Sequence, residues 1–177
     1  MVEQQTADLG TIVDALAKQG LPPDGDALSK VAKAVAKIFS VDADEVAILS
    51  LNTKSKNLKF VIPEKLAAVG TIPLSSATAL AARTARERRP ELVNNFSTSR
   101  HATVFEGVPL GRDPAELIQK IMSAPILEGN QVRGVVQISR KGRSTSDAGL
   151  DFTQKDLQAL TSISPALVGF LKICTGA

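Results

Sequence analysis

At 177 residues, 44% of them hydrophobic and 22% charged, the chain has room for one ordinary domain and a short appendage, a composition outside the disordered and fibrous classes. Six Phe with no Trp and no Tyr imply an aliphatic core and argue against stacking on single-stranded nucleic acid. The net charge of +3 is uneven, with 4 basic and 8 acidic side chains in residues 1–50 and 17 and 10 in the remainder, an imbalance that more often marks solvated surface than a polyanion site.

The pattern opens with a helix over about Glu3 to Gln19, whose Leu9, Ile12, Val13 and Leu16 share one stripe. Gly20, Pro22 and Pro23 end it. Acids at Asp24 and Asp26 suit the start of a second helix running to about Phe39, with Leu28, Val31, Val35 and Ile38 on its apolar face. The period then changes. Val46 to Leu51 and Leu58 to Ile62 read as a hairpin turning through Asn52 to Asn57. Pro63 and Gly70 punctuate the next stretch, and Ser75 or Ser76 is placed to cap a third helix over about Ala77 to Arg88. Pro90 stops that helix ahead of a short strand at Leu92 and Val93.

Residues 94–114 show no sustained period, and an aperiodic stretch of this length inside a compact domain is usually a lid or binding loop. A second hairpin follows, Lys120 to Leu127 and Gln131 to Ser139, turning at Glu128-Gly129-Asn130. Thr153 is the expected N-cap of the last helix, and Pro165 inside that helix should kink or split it. The order predicts an α+β fold, with a central antiparallel sheet carrying helices on one side and a loop-covered pocket on the other.

Cys174 is the single cysteine, which excludes an internal disulfide and a cysteine-cluster zinc site. No apolar run approaches the ~18 residues of a membrane span, and no signal peptide opens the chain, so the expected location is cytoplasmic. Glu106, Asp113 and Glu116 are too scattered for a divalent metal site, and no glycine-rich phosphate loop is present. His101 is the only histidine and has no serine elbow to serve. The expectation is that the chain is not an enzyme. Arg83, Arg86, Arg88 and Arg89 form the densest basic cluster, in the last turns of the third helix, where the carbonyl end favours cations.

The segment Met122-Ser123-Ala124-Pro125-Ile126, followed by Val132-Arg133-Gly134-Val135-Val136-Gln137-Ile138, resembles the late strand pair of GAF domains. The stretch from Phe152 to Leu160 is similar to the start of their last helix, and Thr84 to Asn95 to their central helix and short strand. The resemblance covers about residues 26 to 173 and divides the chain into an N-terminal helix and linker, 1–23, and a GAF-like domain, 24–177. It implies a GAF/PAS-like fold, a ligand-sensing role, and dimerisation through the first and last helices. The stripe of the first helix then covers a neighbour or folds back on its own sheet. No output signature fits in the remaining residues, so the implied partners are an unidentified small molecule, a second copy, and a separate signalling protein, with no membrane and no nucleic acid. A ligand-free dimerisation or adaptor module is the alternative. No cofactor is identified.

Under the resemblance, the candidate ligand contacts are Asn94, Asn95, Phe96, Ser97, His101, Phe105, Ser123 and Gln137. Amides and hydroxyls converging on an apolar cavity orient a small ligand. The same residue types also make ordinary turns. Cyclic-nucleotide-binding members carry an Asn-Lys pair and a Phe-x-x-x-Asp-Glu; here Arg140 and Leu157 replace the Asn and the Glu, while Lys141, Phe152 and Asp156 match. Lys141 and Asp156 are therefore implied to form a bracing ion pair. Bilin-attaching and methionine-sulfoxide-reducing members need a pocket cysteine, and Cys174 lies on the wrong element. Haem would rest on His101 alone.

Overall fold

The computed structural model describes residues 2–20, 22–96 and 110–175. Helices α1 (Val2–Gln19) and α2 (Gly25–Phe39) come first, and Asp24 caps α2 by accepting from the Ala27 amide at 2.9 Å. Strands β1 (Val46–Asn52) and β2 (Asn57–Ile62) form the expected hairpin. A 3-10 turn, Glu64–Ala68, and a short strand β3 (Thr71–Pro73) follow. Helix α3 spans Leu80–Glu87, three residues shorter at its start than the pattern predicts, although the Ser76 hydroxyl does accept from the Ala79 amide just ahead of it. Strands β4 (Glu91–Val93), β5 (Leu117–Glu128) and β6 (Gln131–Gly142) complete the sheet.

The expected final helix is two helices, α4 (Gln154–Ser162) and α5 (Ser164–Thr175), bent by 47° at the break. Pro165 stands in the first turn of α5, where its missing N–H costs no helical hydrogen bond. Thr153 caps α4, accepting from the Asp156 amide, and the Asp156 carboxylate accepts in return from the Thr153 amide.

All six strands pair antiparallel in the order β3-β2-β1-β6-β5-β4. Alternation on the two longest strands sorts the layers. Met122, Ala124 and Ile126 of β5 and Val136 and Ile138 of β6 meet α1, α2, α4 and α5 in the main core. Ile121, Ser123, Val135, Gln137 and Ser139 face the other way, toward α3 and the 3-10 turn. The fold is α+β, as expected. Leu9, Val13 and Leu16 of α1 are buried in the main core, so the first helix folds back on its own chain. Among the described residues, no single helix is long and apolar enough to cross a membrane.

Gly134 explains the aliphatic-Gly-aliphatic run of β6. A Cβ built there would lie 2.0 Å from the Leu49 carbonyl oxygen and 2.8 Å from Leu171. Only glycine lets β1 approach β6 from one side while α5 covers the other.

Candidate functional site

The α3 face of the sheet holds a cavity of about 110 Å³. Leu80 at the start of α3 closes it from above, and Phe60, Leu66 and Ile72 line one flank. Phe96, Leu110, Ile118 and Ile121 line the other, and Gln137, Ser139 and Lys141 of β6 form the polar side of the floor. The wall is predominantly apolar, which suits a binding chamber.

Gln137 is held by a relay. Ser123 stands directly across the β5–β6 ladder from it, and the Gln137 amide nitrogen donates to the Ser123 hydroxyl at 3.1 Å. Ser123 and Thr84 hydroxyls are 2.7 Å apart, and Thr84 donates its own proton to the Leu80 carbonyl at 2.9 Å. A hydroxyl has one proton to give, so Ser123 donates to Thr84 and accepts from Gln137. The proton order runs Gln137, Ser123, Thr84, Leu80, joining β6, β5 and α3. It leaves the Gln137 carbonyl oxygen, Oε1, without a partner among the described residues.

The rim carries charge that is compensated internally. Arg112 donates to Asp44 through Nε at 2.8 Å and Nη2 at 3.1 Å, to Asp42 at 2.7 Å and to Glu116 at 2.8 Å. Glu45 is buried and accepts from the Asp42 amide at 2.9 Å and the Lys141 amide at 2.6 Å. Lys141 Nζ donates to the Asp44 carbonyl at 3.0 Å. Burial raises the Asp44 carboxyl, but the Arg112 hydrogen bonds and the nearby Lys141 outweigh it and hold the group below its ordinary value. Burial dominates at Glu45 and lifts it above the usual carboxylate range, against the pull of its two amide donors. The Asp44 hydrogen bonds keep Arg112 firmly protonated. Asp42, Asp44 and Glu45 bring carboxylate oxygens within 4.8 Å of one another, a spacing a cation could bridge. The Arg112 guanidinium already supplies the positive charge there.

The expected contacts separate into groups. Phe96 and Gln137 line the cavity. Ser123 is fully buried behind Gln137 and positions it rather than lining the chamber. Asn94 turns away: its amide donates to the Phe152 carbonyl at 3.0 Å and accepts from the Phe152 amide at 2.9 Å, tying the end of β4 to the start of α4. Asn95 is engaged in interactions of its own and is not among the described lining residues. Ser97, His101 and Phe105 lie outside the described residues. In place of the expected Lys141–Asp156 pair, Lys141 turns to Asp44 and Asp156 to the Thr153 cap. Three of the four clustered arginines are engaged locally, Arg83 with Glu91, Arg89 with Glu87, and Arg86 with the Leu74 and Ser76 carbonyls.

Arg112, Asp44, Glu45 and Thr84 are the site residues that sequence reasoning misses. The Asp42-x-x-Glu45 spacing of a capping box is legible in principle. The meeting of Arg112 with it, across some seventy residues, is not. Cys174 sits on α5, behind the opposite face of the sheet, and burial pushes its thiol up to about 12.

A family model described as "GAF domain" matches residues 25–168. The chain is similar to the GAF domain of an Acinetobacter phosphoenolpyruvate-protein phosphotransferase, with 16% identity and a TM-score of 0.66, covering 98% of this chain and 96% of that one. It is similar to the free methionine-R-sulfoxide reductase of Neisseria meningitidis, with 16% identity and a TM-score of 0.60, covering 95% and 88%. A methyl-accepting chemotaxis protein matches at 16% identity and a TM-score of 0.61, covering 92% and 96%. No curated protein matches the chain.

Proposed function

The chain belongs to the GAF domain family, a family of signalling and ligand-binding domains, and we propose that it acts as a cytoplasmic sensor that holds a small molecule in the α3-face cavity and reports to a separate protein. The observation that carries this reading is the chamber itself: a mostly apolar wall, a positioned amide on its floor, and rim charges already neutralised by one another. Such an arrangement binds and orients, and among the described residues it presents no activated nucleophile. A reductase reading, which the Neisseria neighbour raises, is opposed by the position of Cys174, whose thiol stays protonated at physiological pH. At about 110 Å³ the chamber is below the usual ~300–1,000 Å³ of drug-sized ligands, which favours small metabolites over nucleotides.

A thermal-shift screen of amino acids, keto acids, nucleotides and small neutral molecules tests the reading. A ligand at ~100 times its dissociation constant adds ~2.7 kcal/mol, and a flat response across all small metabolites overturns it. The homodimer belongs to the same proposal. Because α1 buries its stripe in its own chain, the dimer uses the polar outer surface of the helical layer. Sedimentation showing one protomer throughout the micromolar range removes that part. The ligand-free adaptor is the second reading, supported by the small volume of the chamber; a silent screen together with a stable dimer favours it.

A further inference from the structure

From the proton order around Gln137 we infer that the ligand is a small, neutral, largely apolar molecule carrying one hydrogen-bond donor, with that donor seated on Gln137 Oε1. This rests on the sensor reading and specifies the ligand class of the same cavity.

Thr84 gives its proton to the Leu80 carbonyl, so Ser123 gives its own to Thr84 and takes one from the Gln137 amide nitrogen. The amide is thereby oriented with its nitrogen toward Ser123 and its carbonyl left as an acceptor. Among the described residues nothing donates to that oxygen. A ligand N–H or O–H completes the site; a second acceptor placed there faces a like partial charge.

Neutrality follows from the charged wall residues. Both Glu45 oxygens are taken by backbone amides, both Asp44 oxygens by Arg112, and Lys141 Nζ is engaged with the Asp44 carbonyl. A charged ligand would exchange its hydration for wall charges that, among the described residues, already have partners, and desolvating a charge without a new partner is unfavourable. The chamber is of the same order as the ~150 Å³ cavity that accepts benzene, against about 110 Å³ here.

Phenol, toluene and benzoate share one ring and differ in donor and charge, and their titration into ¹⁵N-labelled protein tests the inference. Phenol is expected to move the Leu80 and Ala81 amides saturably, with an affinity about tenfold above toluene, the range of one net hydrogen bond. Benzoate is expected to bind more weakly than either. Gln137→Leu should bring phenol down to the toluene value. Ser123→Ala, a milder change that leaves Gln137 on the floor but removes the acceptor of its amide nitrogen, should weaken phenol severalfold and change toluene little. Equal affinities for phenol and toluene, a preference that survives both variants, or tighter binding of benzoate overturns the donor assignment while the cavity reading stands. Silence from all three probes overturns the cavity reading and the inference with it.

Discussion

Asn94 joins two segments that are distant in sequence, since its one amide pairs with both backbone groups of Phe152. Asn94→Ala strips both partners from a part-buried peptide, so urea unfolding should show a loss of about 1–3 kcal/mol with ligand affinity unchanged. An unaltered midpoint together with lost binding would return Asn94 to the ligand site. Arg112 is the other residue on which distant parts depend, holding Asp42, Asp44 and Glu116 from a side chain only 18% exposed. Arg112→Gln takes the guanidinium from the mostly buried Asp44 and Glu116 and should cost about 2–4 kcal/mol at pH 7. The pH dependence follows from Asp44, whose folded value Arg112 holds below its ordinary 3.8. A depressed carboxylate contributes stability that is present above 3.8 and lost as pH falls through the lower folded value. The gap between variant and wild type should therefore narrow as pH drops below about 3.8. Glu45, raised by burial, acts in the opposite sense, favouring the fold below its ordinary 4.5 and opposing it above. A gap that stays constant from pH 7 to pH 3 would show that Arg112 acts through packing alone.

The elements differ in how far the sequence reveals them, and the reason lies in the range of the forces. Helices α1 and α2 and the two hairpins follow from local periodicity and turn residues, and they appear within a few residues of where the pattern puts them. Strand β3 escapes because three residues show no period; it exists through its pairing with β2, as in Leu58 opposite Ile72. Gln137 is legible as a floor residue from alternation on β6, whereas the Thr84–Ser123 contact that orients it spans α3 and β5 and leaves no local trace. Asn94 shows why residue type alone misleads: the amide chemistry that suits a ligand also suits a backbone clamp. Gly134 is the case where motif and structure meet. Gly134→Ala places a methyl group 2.0 Å from the Leu49 carbonyl oxygen, which no side-chain rotation relieves, so β1 must separate from β6. Overpacking in a core ordinarily costs about 1–3 kcal/mol, and a clash with backbone in the middle of a ladder should reach or exceed the top of that range. Hydrogen exchange should show lost protection at Leu49 and Val135 first. Full protection there would mean that the ladder takes in the methyl group without the two strands separating.

For the whole molecule, the question is where the cooperative unit begins. The family model starts at residue 25 and the sequence pattern divides the chain after residue 23, which makes α1 look like an appendage. Its packing points the other way. Leu9 is 0% exposed, Val13 4% and Leu16 6%, and all three lie in the same core as Val31 of α2 and Leu167 and Phe170 of α5. A Cβ built on Gly169 of α5 would lie 3.4 Å from Val13 Cγ1, so α1 and α5 pack closely there. Each buried aliphatic side chain contributes about 1.5–3 kcal/mol, and removing α1 also uncovers the surfaces of α2 and α5 that it shields. Against a typical domain stability of ~5–15 kcal/mol, that loss is decisive. A chain lacking residues 1–23 should unfold at a much lower urea concentration or collect as aggregate, its newly bare helices binding a hydrophobic dye that the full chain ignores. An unchanged midpoint and m-value for the shortened chain would place the boundary of the folding unit where the family model does. The first result makes α1 part of the body that closes the sheet on the side opposite the cavity. Any ligand signal leaving the α3 face through β5 and β6 then reaches α5 and α1 together, as one packed layer.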